Sequence, residues 1–371
     1  MPTNRAAFQP KRKANFLQLR DAPYPVAGEN QLVVRTAAIA INPIDHLIQS
    51  RGDIMFTHIK YPFVLGMDVS GEVVSVGNGV TRIRPGDRVF GLCRSTSAAV
   101  NDSAQGAFQS YTVLQEDLAS IITSSEISYP EASVFPLAIL TASSALFDKS
   151  QLGLQLPSQP ARPFSGKAVI IWGGSSSVGC CAIQLAVAAG YEVYTTASAH
   201  NHPLMRKLGA TQAWDYRDAA VVKFMVNELT GKNLVGAVSI GKGAAEKCLE
   251  VLVKCKAERK HVAMTTFPVP DEEPGFLPVF QIMASFVAWT AAYKLRGLVN
   301  GVSSAFVDIE PTIHSGISKY IFTEYLPKAL ESGSIISAPE VQIVGEGLDK
   351  IQEAVDTLRR GVSAKKLIIT L

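Results

Sequence analysis

Residues 170–181 read IIWGGSSSVGCC. An apolar run gives way to Gly173-Gly174, three serines follow, and Val178-Gly179 opens a second apolar stretch. A turn of this kind between a strand and a helix gathers backbone N–H groups and the positive end of the helix dipole at one point, which suits phosphate. Gly173 and Gly174 permit the tight turn, and Gly179 lets the helix pack closely on its sheet. The hydroxyls of Ser175, Ser176 and Ser177, together with Val178, are candidates to meet a pyrophosphate. The alternative is a plain strand–turn–helix, and the pattern alone does not separate the two.

The next strand-like segment, YEVYTTASAHN, bears on the choice. Dinucleotide folds that prefer NAD end this strand on Asp or Glu, which bonds the ribose 2′-hydroxyl. Here it ends without an acid, on Ser198, Ala199, His200 and Asn201. These side chains can donate to a 2′-phosphate that a carboxylate would repel, so the expected cofactor is NADPH. The same residues can also cap the following helix, and both readings can hold together.

Two textures position these residues. The first part of the chain is a series of short β-branched runs bounded by Gly, Asn and Asp, as in QLVVRTAAIAIN and DVSGEVVSVGNGV, and predicts an irregular, mainly antiparallel β-barrel. From Lys167 onward, apolar runs alternate with helical segments: KAVIIWGG, SVGCCAIQLAVAAG, YEVYTTAS, PLMRKLG, AVVKFMVNELTG, NLVGAVSIG. That alternation predicts an α/β, doubly wound Rossmann domain with a parallel sheet. A helical stretch from Pro130 and a proline-bearing connection over 151–167 join the two textures. The last segment, from Pro339, places a helix between two strands. The expected domains are 1–127 with 334–371, and 128–333.

A chain of 371 residues favours two domains over one core. A net charge of +3, with Lys and Arg scattered, does not indicate nucleic acid; the one short cluster, Lys11-Arg12-Lys13, reads as a solvated strand or turn. The N-terminus has no apolar core of a secretory signal, and five cysteines do not make a disulfide framework, so a reducing cytoplasm is expected. The apolar run FLPVFQIMASFVAWTAAY (276–293) is interrupted by Pro278, Gln281, Ser285 and Thr290 and reads as a buried or pocket-lining segment rather than a membrane span.

With these residues in view, the chain resembles the medium-chain dehydrogenase/reductase superfamily along nearly its whole length. AINPID (40–45), YPFVLGMDVSGEVVSVG (61–77), RPGDRVFG (84–91), GAFQSYTVL (106–114) and FPLAILTASSAL (135–146) occur in that family's order and spacing. The resemblance implies a GroES-like catalytic domain beside the Rossmann domain. Zinc-dependent relatives place a Cys early in the catalytic domain and a His-Glu pair in the glycine-flanked motif. The corresponding places here read Asn42-Pro43-Ile44-Asp45 and Gly66-Met67-Asp68, and only Cys93 lies in the part that carries the structural zinc cysteines, so no metal is expected. Among zinc-free relatives the chain looks most like the fungal trans-acting enoyl reductases that serve polyketide synthases, through LGLQLPSQPARP, GGSSS, TTASAHN, WDYR and SAKKLIITL.

The resemblance implies where the parts lie. Ile44, Asp45, His46 and Leu47 would face the nicotinamide, Ser175 to Val178 the pyrophosphate, Ser198 to Asn201 the 2′-phosphate and Tyr216 the adenosine. Ser363 and Ala364 would close over the cofactor. Phe135, Leu137 and Thr141, with Ile282, Met283 and Phe286, would line a substrate channel suited to a long acyl chain. Asp45, His46 and Thr141 are the candidate catalytic residues. Each has a plainer reading: Asp45 as a helix cap, His46 as a packing histidine, Thr141 as a hydroxyl bonded back to its own helix. Many relatives carry Lys where Leu47 stands and Asp where Ser239 stands. Without that Lys, His46 or water takes the electrophile's part.

The expected activity is NADPH-dependent reduction of the C=C bond of an α,β-unsaturated acyl or ketone substrate, small or carrier-bound, with a polyketide synthase as a possible partner and the protein a monomer or homodimer. A free-standing quinone or 2-alkenal reductase shares this fold and cofactor. A fold whose redox function has lapsed, serving as a cyclase or binding protein, is the reading from a different class.

Overall fold

The structure is a computed structural model that describes residues 2–266, 284, 287, 297 and 301–371. It divides into two compact units, Met1–Ala138 with Ser318–Leu371, and Ile139–Ile317.

Among the described residues of the second unit the short apolar runs become a six-stranded parallel sheet. Its spatial order is Gln212–Trp214, Glu192–Thr196, Ala168–Trp172, Leu234–Ser239, His261–Met264 and Ser303–Phe306. The first strand in sequence is therefore third in space, and the chain leaves it in opposite directions to either side: the doubly wound arrangement, with its reversal beside Ala168–Trp172. Every residue of that strand is buried, as a strand covered on both faces must be. The helix Ser177–Ala188 follows, burying Gly179, Ala182 and Ala186 among others. Ser303–Phe306, four residues with two serines, carries too little apolar signal to be read as a strand from sequence, and its partner His261–Met264 pulls it into the sheet.

The first unit holds the β-rich part. A seven-stranded sheet runs Glu340–Glu346, Lys365–Thr370, Gln31–Ala40, Asp68–Val76, Arg88–Leu92 and Ala119–Ile121, with Tyr111–Gln115 also paired to Gln31–Ala40. All pairings are antiparallel except the first, where the helix Ile351–Arg360 makes the crossover a parallel pair needs. That helix buries Ile351, Ala354 and Val355, a single stripe, and packs on the helix Pro43–Met55. A three-stranded sheet, Gln18–Ala22, Asn4–Gln9 and Phe63–Val64, completes the unit.

The division differs from boundaries at 127/128 and 333/334 for physical reasons. The turn of helix Tyr129–Ala132 is held by the first unit: the Ser70 hydroxyl donates to the Tyr129 carbonyl at 2.6 Å, and the Arg88 guanidinium lies 4.9 Å from the Tyr129 ring. The helical residues Phe322 and Leu326 are buried beside the strand Ala119–Ile121. Among the described residues, one helical stretch, Tyr129–Phe147, is long and apolar enough to cross a membrane, and most of it is buried inside the protein.

Candidate active site

The glycine–serine turn follows the strand Ala168–Trp172 directly. Gly173 takes a left-handed backbone, φ +88°, which a residue with a side chain would resist. Ser176 is the N-cap of the helix Ser177–Ala188: its hydroxyl accepts the Gly179 N–H at 3.1 Å and donates to the Gly173 carbonyl at 2.8 Å. That corrects the expectation that all three serine hydroxyls are free for phosphate, because this one is committed to closing the turn. The helix ladder offers no acceptor for the N–H groups of Ser177 and Val178, so they remain for an anion. Ser175, Ser177 and Val178 are all partly exposed.

At the end of the neighbouring strand, Ser198 and Asn201 are buried and Ala199 and His200 exposed. The structure adds an acid that the segment itself lacks. Thr196 pairs with Trp214 across the sheet, and this register brings the Asp215 carboxylate to the Ala199 N–H, which donates to it at 3.2 Å. The other oxygen accepts the Arg217 N–H at 2.9 Å. These bonds, with the charge of Arg217, hold the carboxyl below the usual range. Cations stand beside it. The Arg217 guanidinium lies 5.4 Å from the Tyr216 ring and the Lys247 ammonium 5.4 Å from the Trp172 ring, while Lys247 Nζ donates to the Tyr216 carbonyl at 3.5 Å. Asp215, Arg217 and Lys247 escape sequence reasoning that follows one strand at a time; the third strand's end, WDYR, was the available signal.

In the first unit, the helix Pro43–Met55 carries Ile44, His46 and Leu47, all partly exposed. Asp45 turns the other way. It is 1% exposed, and its Oδ2 accepts the Asn42 N–H at 2.8 Å, closing the first turn of the helix. The cap reading thus describes what this carboxyl does. Burial above all, with Asp68 nearby, pushes it up to about 7, and Oδ1 has no hydrogen-bond partner. His46 is held below the usual histidine range by burial first and then by the charges of Arg359 and Arg51, so the imidazole is neutral at neutral pH.

Asn42 and Asp68, from the two places that match the zinc-ligand motifs, are brought together. Asn42 Nδ2 donates to Asp68 Oδ2 at 2.8 Å, and the Lys366 ammonium bonds both, at 2.6 Å to Asn42 Oδ1 and 2.9 Å to Asp68 Oδ2. The Leu137 N–H donates to Asp68 Oδ1 at 2.7 Å. These residues do not fit a zinc ion: an ammonium already occupies the shared face of the oxygen donors, and Met67 offers a thioether in place of imidazole. Lys366, like Asp215, Arg217 and Lys247, escapes sequence reasoning.

Of the residues expected along a substrate channel, Leu137 and Thr141 are partly exposed. Phe135 is fully buried with its ring 5.7 Å from that of Phe90, a core residue rather than a lining one. Ile282, Met283 and Phe286 lie outside the described residues. Ser363 is exposed, and Ala364 has φ +48°, an unusual backbone for a non-glycine residue.

Comparison with known proteins decides the family. Residues 28–123 match the alcohol dehydrogenase GroES-like domain and residues 177–292 the zinc-binding dehydrogenase family. The chain is 51% identical to dehydrogenase pigH of Monascus ruber over the whole of both chains. The chain belongs to the medium-chain dehydrogenase/reductase superfamily. Within it, the trans-enoyl reductase himH of Aspergillus japonicus is 36% identical over 99% of this chain and 97% of its own. A solved structure of mycobacterial Rv1454c complexed with NADPH superposes with a TM-score of 0.68 at 23% identity, covering 99% of this chain and 100% of that one. As a medium-chain dehydrogenase/reductase, the protein is an oxidoreductase of nicotinamide chemistry, with a GroES-like domain and a Rossmann domain.

Proposed function

We propose that this medium-chain reductase is a zinc-independent, NADPH-dependent enoyl reductase acting on α,β-unsaturated acyl or ketone substrates of fungal polyketide assembly. The observation that carries the reading is the ion pair of Lys366 and Asp68 at the place of the zinc-ligand motifs. It supports a reaction with no metal to bind an alkoxide, in a chain related to enzymes named trans-enoyl reductases.

The residues present fit a nicotinamide dinucleotide. Ser177 and Val178 would hold the pyrophosphate through backbone N–H groups, with Ser175 beside them. Arg217, His200 and Ser198 would meet the 2′-phosphate, while Tyr216, Trp172 and Lys247 bound the adenosine side. The Asp215 carboxylate keeps its charge while its oxygens accept backbone N–H groups, and the cations Arg217 and Lys247 beside it offset that charge toward a 2′-phosphate. Ile44, His46 and Leu47 would face the nicotinamide, with Ser363 and Ala364 over it. When bound, the reduced nicotinamide supplies a hydride to the β-carbon.

The chain's own part is alignment and charge. The Thr141 hydroxyl would donate to the acyl oxygen as negative charge builds there, the part an oxyanion donor plays. His46, neutral and half-buried, would donate a second hydrogen bond and relay a proton from water to the α-carbon. Asp45 acts one step back, by fixing the helix start that carries His46.

Product analysis tests the reaction. With NADPH deuterated at the transferred position, the product of an enoyl thioester should be the saturated thioester with deuterium on the β-carbon; a product without it contradicts hydride transfer. His46→Gln should lower kcat by about 10- to 100-fold while leaving KM within a few-fold. An unchanged kcat would remove His46 from the chemistry. NADPH should bind at least about ten-fold tighter than NADH, a difference of ~1.4 kcal/mol or more. Arg217→Ala should erase most of that margin, and a margin that survives would place the selectivity elsewhere.

A further inference from the structure

Four polar side chains meet in the interior of the first unit: Asn42, Asp45, Asp68 and Lys366, none more than 4% exposed. They come from three places in the chain that share no local sequence, Asn42 and Asp45 belonging to one helix start. Asn42 precedes the helix Pro43–Met55, Asp68 begins a strand, Lys366 lies on the last strand, and Asp68 reaches the backbone of Leu137. An ion pair with side chains 4% and 0% exposed is costly to bury, and hydrophobic residues of the same volume would often stabilise a fold as well or better. The cost points to a use other than stability.

That use is legible in what the network joins. Asn42 bonds Asp45 through its N–H, and through its side chain it bonds both Asp68 and Lys366. The three segments so tied are those assigned above to cofactor and substrate: the helix start with His46, the backbone at Leu137, and the turn Ser363–Ala364 ahead of Lys366. Ala364 holds a left-handed backbone two residues before the ammonium, and such a conformation persists only where its surroundings enforce it. Lys366 is the tether that can enforce it, since its Nζ is fixed by two oxygen acceptors.

We propose that Lys366, with Asp68, is a positioning residue of the reductase: it sets His46, Leu137 and the Ser363–Ala364 turn in one register, and catalysis depends on that register. The proposal rests on the reductase reading above. It predicts that loss of the ammonium acts on the alignment of bound cofactor and substrate over and above any loss of stability.

The test compares the wild-type chain with Lys366→Met, Lys366→Arg and the double variant Asp68→Asn/Lys366→Met. Thermal midpoint, NADPH affinity by nicotinamide fluorescence, and kcat and KM with an enoyl thioester are measured on each. Lys366→Met leaves Asp68 buried without its partner, and its midpoint should fall by about 10 °C. The double variant removes both charges and should regain most of that loss. Its kcat should nevertheless stay roughly 100-fold down, as expected of a misplacement of about 1 Å, and its NADPH affinity should be at least about ten-fold weaker. Lys366→Arg, which restores the charge, should recover part of the kcat.

A double variant that regains stability, kcat and NADPH affinity together would overturn the proposal and leave the pair a structural one. A wild-type chain that binds NADPH but reduces no enone would instead overturn the reductase reading. The positioning claim is then judged on affinity alone: weaker NADPH binding by the folded double variant sustains it, and unchanged binding rejects it.

Discussion

Replacing Gly179 by valine should abolish NADPH binding at any practical concentration, a loss of at least about 100-fold in affinity. The reason is steric and lies in the backbone. A Cβ at 179 would fall inside the contact shell of the Gly173 carbonyl oxygen and stand 2.7 Å from Gly174 Cα, and neither can rotate away. The helix Ser177–Ala188 would have to move off the turn, taking with it the N–H groups of Ser177 and Val178 and breaking the Ser176 cap. Overpacking of this kind costs about 1–3 kcal/mol in stability, which a domain of this size survives, so the folded variant can be titrated. Ser176→Ala is the companion. It removes the cap at a cost of about 1 kcal/mol but leaves the backbone path open, so affinity should fall only a few-fold. Tight NADPH binding by Gly179→Val, measured by fluorescence titration, would show that the turn is not the seat of the pyrophosphate.

The second large effect concerns Asp45 and is a dependence on pH. Its carboxyl is pushed from the usual carboxylate range up to about 7 in the folded chain, first by burial. The folded state therefore holds a proton there, between about pH 4 and pH 7, that the unfolded chain has released. Stability from this group is fully present below the unfolded value and is lost as pH rises through the folded one. The slope amounts to at most ~1.4 kcal/mol per pH unit, and the sum over that window to roughly 4 kcal/mol as an upper bound. Asn at this position keeps an oxygen for the Asn42 N–H and removes the charge. Asp45→Asn should therefore be more stable than the wild type at about pH 8, with the gap closing toward about pH 5. Urea unfolding of both proteins across that range checks it; parallel curves would mean that Asp45 is ionised throughout and finds compensation in its neighbours.

These expectations rest unequally on what the sequence displays. The Rossmann unit is legible because its elements are local: an apolar run, a turn, a helix, repeated. The strand Ser303–Phe306 is not, since two serines in four residues dilute the signal that the sheet supplies. The turn Gly173–Gly179 is legible for the same local reason, down to its strand and its helix, but not in how Ser176 spends its hydroxyl. Asp215 and Lys366 are hidden by distance. Asp215 meets Ala199 through the register of two parallel strands, and Lys366 meets Asp68 across 298 residues of chain through a sheet pairing that no periodicity announces. Asp45 shows the converse: its place in a motif allowed both a reactive group and a helix cap, and the interior makes it a cap with a displaced pKa.

The central claim, reduction of an activated C=C bond from NADPH without zinc, is met most directly by a steady-state assay. Wild-type protein treated with a chelator is mixed with NADPH and a series of enoyl thioesters, enones and quinones, and loss of the reduced nicotinamide is followed. The account predicts turnover of enoyl thioesters that survives the chelator and exceeds turnover of quinones. Tight NADPH binding with no turnover of any enoyl thioester or enone, or activity that disappears with the chelator and returns with zinc, would contradict it.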